Sequence, residues 1–169
     1  METTLKPFLE IFEEVYIGSD NEQTWVIDGN PGNGITAVLK QITAEIASKP
    51  TVKGGTSIVG HAEHLRWSLD YAYEFFEGKQ PTGKWEDSWK LRMVNQPAWE
   101  SVQQDLLESY EKIKNKIEET TDWSNPDLLK GALALLPHAA YHLGAIKQML
   151  LVLNEEAALK EKEAEAKPA

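Results

Sequence analysis

The chain has 169 residues, with 17 basic side chains against 27 acidic ones, a formal charge of −10 at pH 7, and no cysteine. That length suits one domain with one sizeable core. The acidic balance argues against a DNA or RNA partner, which calls for a concentrated basic surface. The missing cysteines exclude disulfides, thiolate metal ligands and a cysteine nucleophile, so any thiol chemistry needs a thiol from outside.

No apolar core follows a basic flank at Met1 to Lys6, so no secretory leader is expected. Leu5, Phe8, Leu9, Phe12 and Tyr16 recur at helical spacing, which predicts a short first helix ended by Gly18-Ser-Asp-Asn. The turn-rich run from Thr24 to Gly34 reads as an ordered loop pinned by Trp25. Ile35, Val38, Leu39, Ile42 and Ile46 trace one stripe of a second helix, closed by Lys49-Pro50. Thr56 or Ser57 can cap a third helix with Ile58, Ala62, Leu65, Leu69 and Phe76 on one face, stopping at Gly78. After a loop rich in Trp, Pro and Gly, Trp99, Val102, Leu106, Tyr110, Ile113 and Ile117 define a fourth helix with a solvated Glu- and Lys-rich face. Ser124-Asn-Pro-Asp127 starts a long fifth helix that carries Leu128, Ala132, Leu135, Ala139, Leu143, Ile146, Leu150 and Leu153. Pro137 should kink it. Its apolar stretch, broken by Lys130, two histidines and Lys147, is no membrane span. The fold class expected is all-α: a four-helix bundle with an accessory N-terminal helix over 1–156, then a charged tail over 157–169, disordered or a frayed helical extension. A soluble cytoplasmic protein is the simplest expectation.

All four histidines fall in two helical motifs, His61-Ala-Glu-His64 and His138-Ala-Ala-Tyr-His142. Residues three or four apart share a helix face, so two such helices packed together can bring three or four imidazole nitrogens to one point. Neutral imidazole is the commonest protein metal ligand, and three of them leave open positions on zinc, nickel or iron. The plainer alternative is four satisfied core histidines. Other metal patterns fail: neither motif is His-Glu-x-x-His, and the residues three before each histidine are Ile58, His61, Leu135 and Ala139 rather than the glutamates of a di-iron bundle. No Gly-x-Ser-x-Gly elbow occurs. Glu63 reads as exposed rather than catalytic, and the six tryptophans read mostly as anchors of loops and core. A mononuclear, histidine-dominated site remains. Unperturbed imidazoles would weaken metal binding as the pH falls through roughly 6 to 6.5.

The run Thr56-Ser-Ile-Val-Gly-His-Ala-Glu-His-Leu-Arg-Trp-Ser-Leu69, then Gly78, Trp85-Glu-Asp-Ser-Trp89 and His138-Ala-Ala-Tyr-His-Leu-Gly-Ala-Ile-Lys-Gln148 resembles the DinB-like, YfiT-like metalloenzymes, the damage-inducible helical-bundle family. The likeness covers roughly Leu5 to Leu153, and its most specific element is the final His-x-x-x-His-Leu-Gly-x-Ile segment. It implies a commonly dimeric four-helix bundle holding a divalent metal with one histidine of the helix over 56–77 and two of the last helix. Position by position, His138 and His142 match the paired ligands and His64 the single one. His61, one turn earlier, is left as an alternative ligand, a fourth ligand or a hydrogen-bond partner. The resemblance further implies a transferase or isomerase that uses an external low-molecular-weight thiol on a small molecule. A non-catalytic dimeric metal-binding module and a metal-dependent hydrolase are the competing expectations.

Overall fold

The computed structural model describes residues 5–19 and 23–165, and among these the chain is all-α with no strand. Its elements are α1 (Lys6–Tyr16), α2 (Ile35–Lys40), α3 (Ala44–Ser48), α4 (Ile58–Phe76), a 3₁₀ turn (Trp85–Trp89), α5 (Gln96–Glu119) and α6 (Pro126–Glu165). The long helices α4, α5 and α6 pack together, and α1 lies along α6 and touches α5. No described helix is long and apolar enough to cross a membrane.

In α1 the helical spacing of Phe8, Phe12 and Tyr16 puts three rings on one buried face. Phe12 meets Tyr16 edge-on at 4.9 Å, and Tyr16 stacks on Tyr110 of α5 at 4.7 Å. This aromatic column seats α1 on the core. Gly18, at φ 108°, ends it, while Asp20 and Asn21 of the expected stop signal lie outside the described residues. Glu14, also on α1, is buried and ties down the following loop: its carboxylate accepts from the backbone N–H groups of Trp25, Val26 and Ile27 at 2.6 to 3.0 Å. Burial alone would raise its pKa, but these N–H groups outweigh it and hold the carboxyl below its usual range. The loop is thus pinned from α1, and the Trp25 side chain, 76% exposed, is not the pin.

The helix expected over Ile35 to Ile46 is two short helices instead. Thr43 turns extended and caps α3 by accepting from the Ile46 N–H, and the break frees the Ile42 carbonyl to accept from the buried Trp99 Nε1 at 2.7 Å. A hydrophobic stripe is blind to this, because the break leaves Ile35, Val38, Leu39 and Ile42 all buried.

The start of α4 falls where the sequence put it, although the Ser57 hydroxyl donates to the Arg92 carbonyl at 3.0 Å instead of capping the helix. Asn95 caps α5 by accepting from the Ala98 N–H. Helix α6 passes through Pro137 without ending and runs on to Glu165, so the charged tail is helical to that point; residues 166–169 lie outside the described residues. With α4 and α6 in contact and the 3₁₀ turn packed on α4, both histidine motifs and the Trp85–Trp89 segment meet in one place. Trp99→Phe keeps an aromatic side chain but removes the indole N–H and leaves the buried Ile42 carbonyl without that partner. It is expected to cost about 1–3 kcal/mol, read as a fall of several degrees in Tm by calorimetry, with the helical circular-dichroism spectrum retained.

Candidate metal centre

His64 is fully buried on α4, and His142 is nearly so on α6, one helical turn beyond the half-buried His138. Their Nε2 atoms converge: His64 to His138 is 3.1 Å and His138 to His142 is 3.0 Å. All three candidate ligand atoms lie within 4.8 Å of one another, and no other such group of histidines and carboxylates occurs among the described residues. Metal–nitrogen bonds of about 2.0–2.1 Å put neighbouring ligand atoms about 2.9 Å apart at a right angle and about 3.3 Å apart at a tetrahedral one. The two measured separations fall between these values.

The other ring nitrogens decide what the Nε2 atoms can do. His64 Nδ1 lies 2.7 Å from Ser88 Oγ, and that hydroxyl already donates its one proton to the Trp85 carbonyl at 2.6 Å. Ser88 can therefore only accept from the histidine, which places the His64 proton on Nδ1. Ser68 repeats the device: its hydroxyl donates to the Leu65 carbonyl at 2.8 Å and faces His138 Nδ1 at 3.4 Å. His142 Nδ1 lies 2.8 Å from His61 Nδ1, so one ring donates and the other accepts, and with His142 as the donor its Nε2 is bare. Each of the three rings then presents a bare Nε2 lone pair to the same point. Three converging lone pairs repel one another unless a positive centre lies between them, so the donor set fits a metal ion. His61 stands behind His142, on the far side of its ring from the convergence, in the hydrogen-bond role left open by its sequence position.

Aromatic rings close the site. Trp89 stacks on His64 at 4.1 Å with planes 16° apart, and Trp85 meets the same imidazole edge-on at 4.4 Å. Trp89 also packs edge-on to His61 at 5.4 Å. The sequence reading missed these walls and both serines. Ser68 sits four residues after His64 on one helix face, a signal that was available; Ser88 and the two tryptophans reach the site only through the 3₁₀ turn. Glu63 is half-buried rather than exposed, and its carboxylate takes two hydrogen bonds from Arg66, at 2.8 and 2.6 Å, so it is no free base.

Burial pushes the His61 and His64 pKa values down to about 4, helped at His64 by the neighbouring His138 and His61. It pushes His142 down to about 3, again with its three histidine neighbours adding to the shift, and lowers His138 as well. The imidazoles thus stay neutral well below the range expected of exposed histidines, and proton competition for a metal shifts below the window of pH 6 to 6.5.

Fold and site together define an all-α protein with a buried three-histidine cluster able to hold a metal ion. Comparison with protein-family models, with curated proteins and with solved structures finds no match to this chain.

The depressed pKa values carry a sign for stability. Unfolded imidazoles protonate near 6.5 while the folded ones resist, so the unfolded state takes up protons first as the pH drops. This contribution is complete above about pH 6.5 and is lost as the pH falls from there toward about 4. Urea midpoints of metal-free protein should fall progressively across that window, and the slope should flatten in His142→Gln.

Proposed function

We propose that this protein is a metal-dependent enzyme in which His64, His138 and His142 hold one divalent transition metal, zinc, nickel or iron, and in which an external low-molecular-weight thiol is directed at an electrophilic small molecule. The observation that carries the metal reading is the hydrogen-bond set on the far sides of the three rings. Ser88 and Ser68 accept from the Nδ1 atoms of His64 and His138, and with His61 accepting from His142 each ring turns one Nε2 lone pair inward. Three neutral ligands leave the ion's double charge intact and leave coordination positions for a small molecule. When bound, such an ion supplies Lewis acidity, favouring at neutral pH the anion of a thiol whose free pKa is about 8.5.

The thiol reading rests on the likeness of the two histidine motifs to the DinB-like family and on what the chain lacks. It has no cysteine, and Glu63, the acidic residue between His61 and His64, is engaged by Arg66. The residues do the remaining work. Trp85 and Trp89 exclude water from the His64 face, and the serine pair fixes two rings against rotation. The same likeness supports a homodimer.

Metal analysis after reconstitution is expected to give one equivalent in the wild type and almost none in the His138→Ala/His142→Ala double variant. Equal occupancy would overturn the metal reading. Ser88→Ala, which removes the Nδ1 partner of His64, is expected to weaken metal binding about 10–100-fold, measured by competition with a chromogenic chelator. Turnover of a model electrophile by the metal-loaded protein should require added thiol and vanish in His142→Ala. Turnover that needs no thiol would replace the transferase with a hydrolase, and no turnover at all would leave a metal-binding module.

A further inference from the structure

A cavity of about 490 Å³ opens beside the histidine cluster, and His138 is part of its wall. Its size lies in the ordinary range of small-molecule pockets, about 300–1,000 Å³. Three aromatic rings shape it. Trp67 packs on Tyr71 at 5.1 Å, and Trp85 stands perpendicular to Trp67 at 6.2 Å and 6.3 Å from His138. Leu135 and Ala134 of α6 complete the apolar lining, and no Asp, Glu, Lys or Arg lines it. Trp85 is 54% exposed and Tyr71 40%, so two of the rings present open apolar faces at the mouth. Trp67 is held in place from the loop side: a Cβ on Gly83 would lie 2.9 Å from its Nε1, so the backbone is already pressed against the indole. Cavities beside Lys40 and Glu100 and beside Asp28 and Lys147 are lined with charged side chains and share no residue with the histidines.

We propose that this cavity seats the organic ligand of the metal centre and selects an uncharged, planar aromatic body carrying one metal-binding end. The inference rests on the metal reading above and adds the ligand class. A flat ring fits between indole and phenol faces, which prefer offset-stacked or edge-on partners. An anionic body would be drawn by the ion itself, but it would give up its hydration for an apolar lining without Lys or Arg. A cationic body would gain from the aromatic faces, but it would lie beside a doubly charged ion with no carboxylate in the lining to offset the repulsion. A neutral body meets neither cost, and His138, the ring that the cavity shares with the metal centre, is where the polar end of the ligand turns toward the ion.

The test compares hydroxamates that share a metal-binding head and differ in body, titrated calorimetrically into the zinc-loaded full chain. The readout is a ratio of affinities, so that any change at the metal cancels. 2-Naphthohydroxamate is expected to bind about tenfold or more tightly than acetohydroxamate, and the ratio should fall toward one in both Tyr71→Ala and Trp85→Ala. A wild-type ratio near one, or a ratio unchanged in both variants, would overturn the proposal while leaving the metal reading intact. A benzohydroxamate bearing a trimethylammonium group should bind more weakly than its uncharged parent; equal or tighter binding would overturn the selection for a neutral body. If the protein takes up no zinc, the metal reading itself has failed. In that case 2-naphthol binding to metal-free protein, about tenfold weaker in Tyr71→Ala, would uphold the aromatic seat, and no binding would remove it.

Discussion

A serine hydroxyl has one proton, and both serines beside the histidine cluster commit theirs to a backbone carbonyl. Ser88 donates to Trp85 and Ser68 to Leu65, so each can only accept from the imidazole it faces. That constraint runs inward to the lone pairs of His64 and His138, while His61 faces His142 Nδ1 at 2.8 Å and bares the His142 Nε2 when it accepts. The site is therefore held by groups that would never touch the ion. In this arrangement the carbonyls of Leu65 in α4 and of Trp85 in the 3₁₀ turn decide which nitrogens of His138 and His64 carry the proton.

Burial and chemistry pull in the same direction here. A neutral imidazole is cheaper to bury than a charged one, and neutral imidazole is also the form that binds metal. The stacked Trp89 and the edge-on Trp85 keep water from His64 and thereby keep it unprotonated. The same aromatic segment then serves a second surface, since Trp85 faces both the imidazole and the apolar cavity. A short 3₁₀ turn thus couples the orientation of His64, its dryness and the wall of the neighbouring cavity.

The remainder of the fold keeps α4 and α6 in register. Helix α1 packs along α6, and a column of its aromatic rings ends on Tyr110 of α5. The broken segment between α2 and α3 anchors the start of α5 through Trp99, and Gln96 accepts the Ala44 N–H at 3.0 Å. Helix α6 crosses Pro137 next to His138 without a break, so both of its histidines stay on one helix face at i and i+4.

Hydrophobic periodicity was enough to make α1, α4, α5 and α6 legible, because each buries a stripe three or four residues in period and the chain has little else to form. The spacing within each histidine motif was enough to put its two imidazoles on neighbouring positions of one face, since that follows from helix geometry alone. Periodicity could not show the break at Thr43, where a side-chain cap and a distant indole compete with the helix for the same backbone groups. Nor could it rank His61 against His64: both are buried on α4, and only the packing of α6 decides that His64 faces the convergence while His61 faces the back of His142. Ser68 was within reach of helical spacing. Ser88, Trp85 and Trp89 were not, because their place depends on a turn joined to the site by contacts across the fold, and spacing along one helix carries no information about what another segment lays over it.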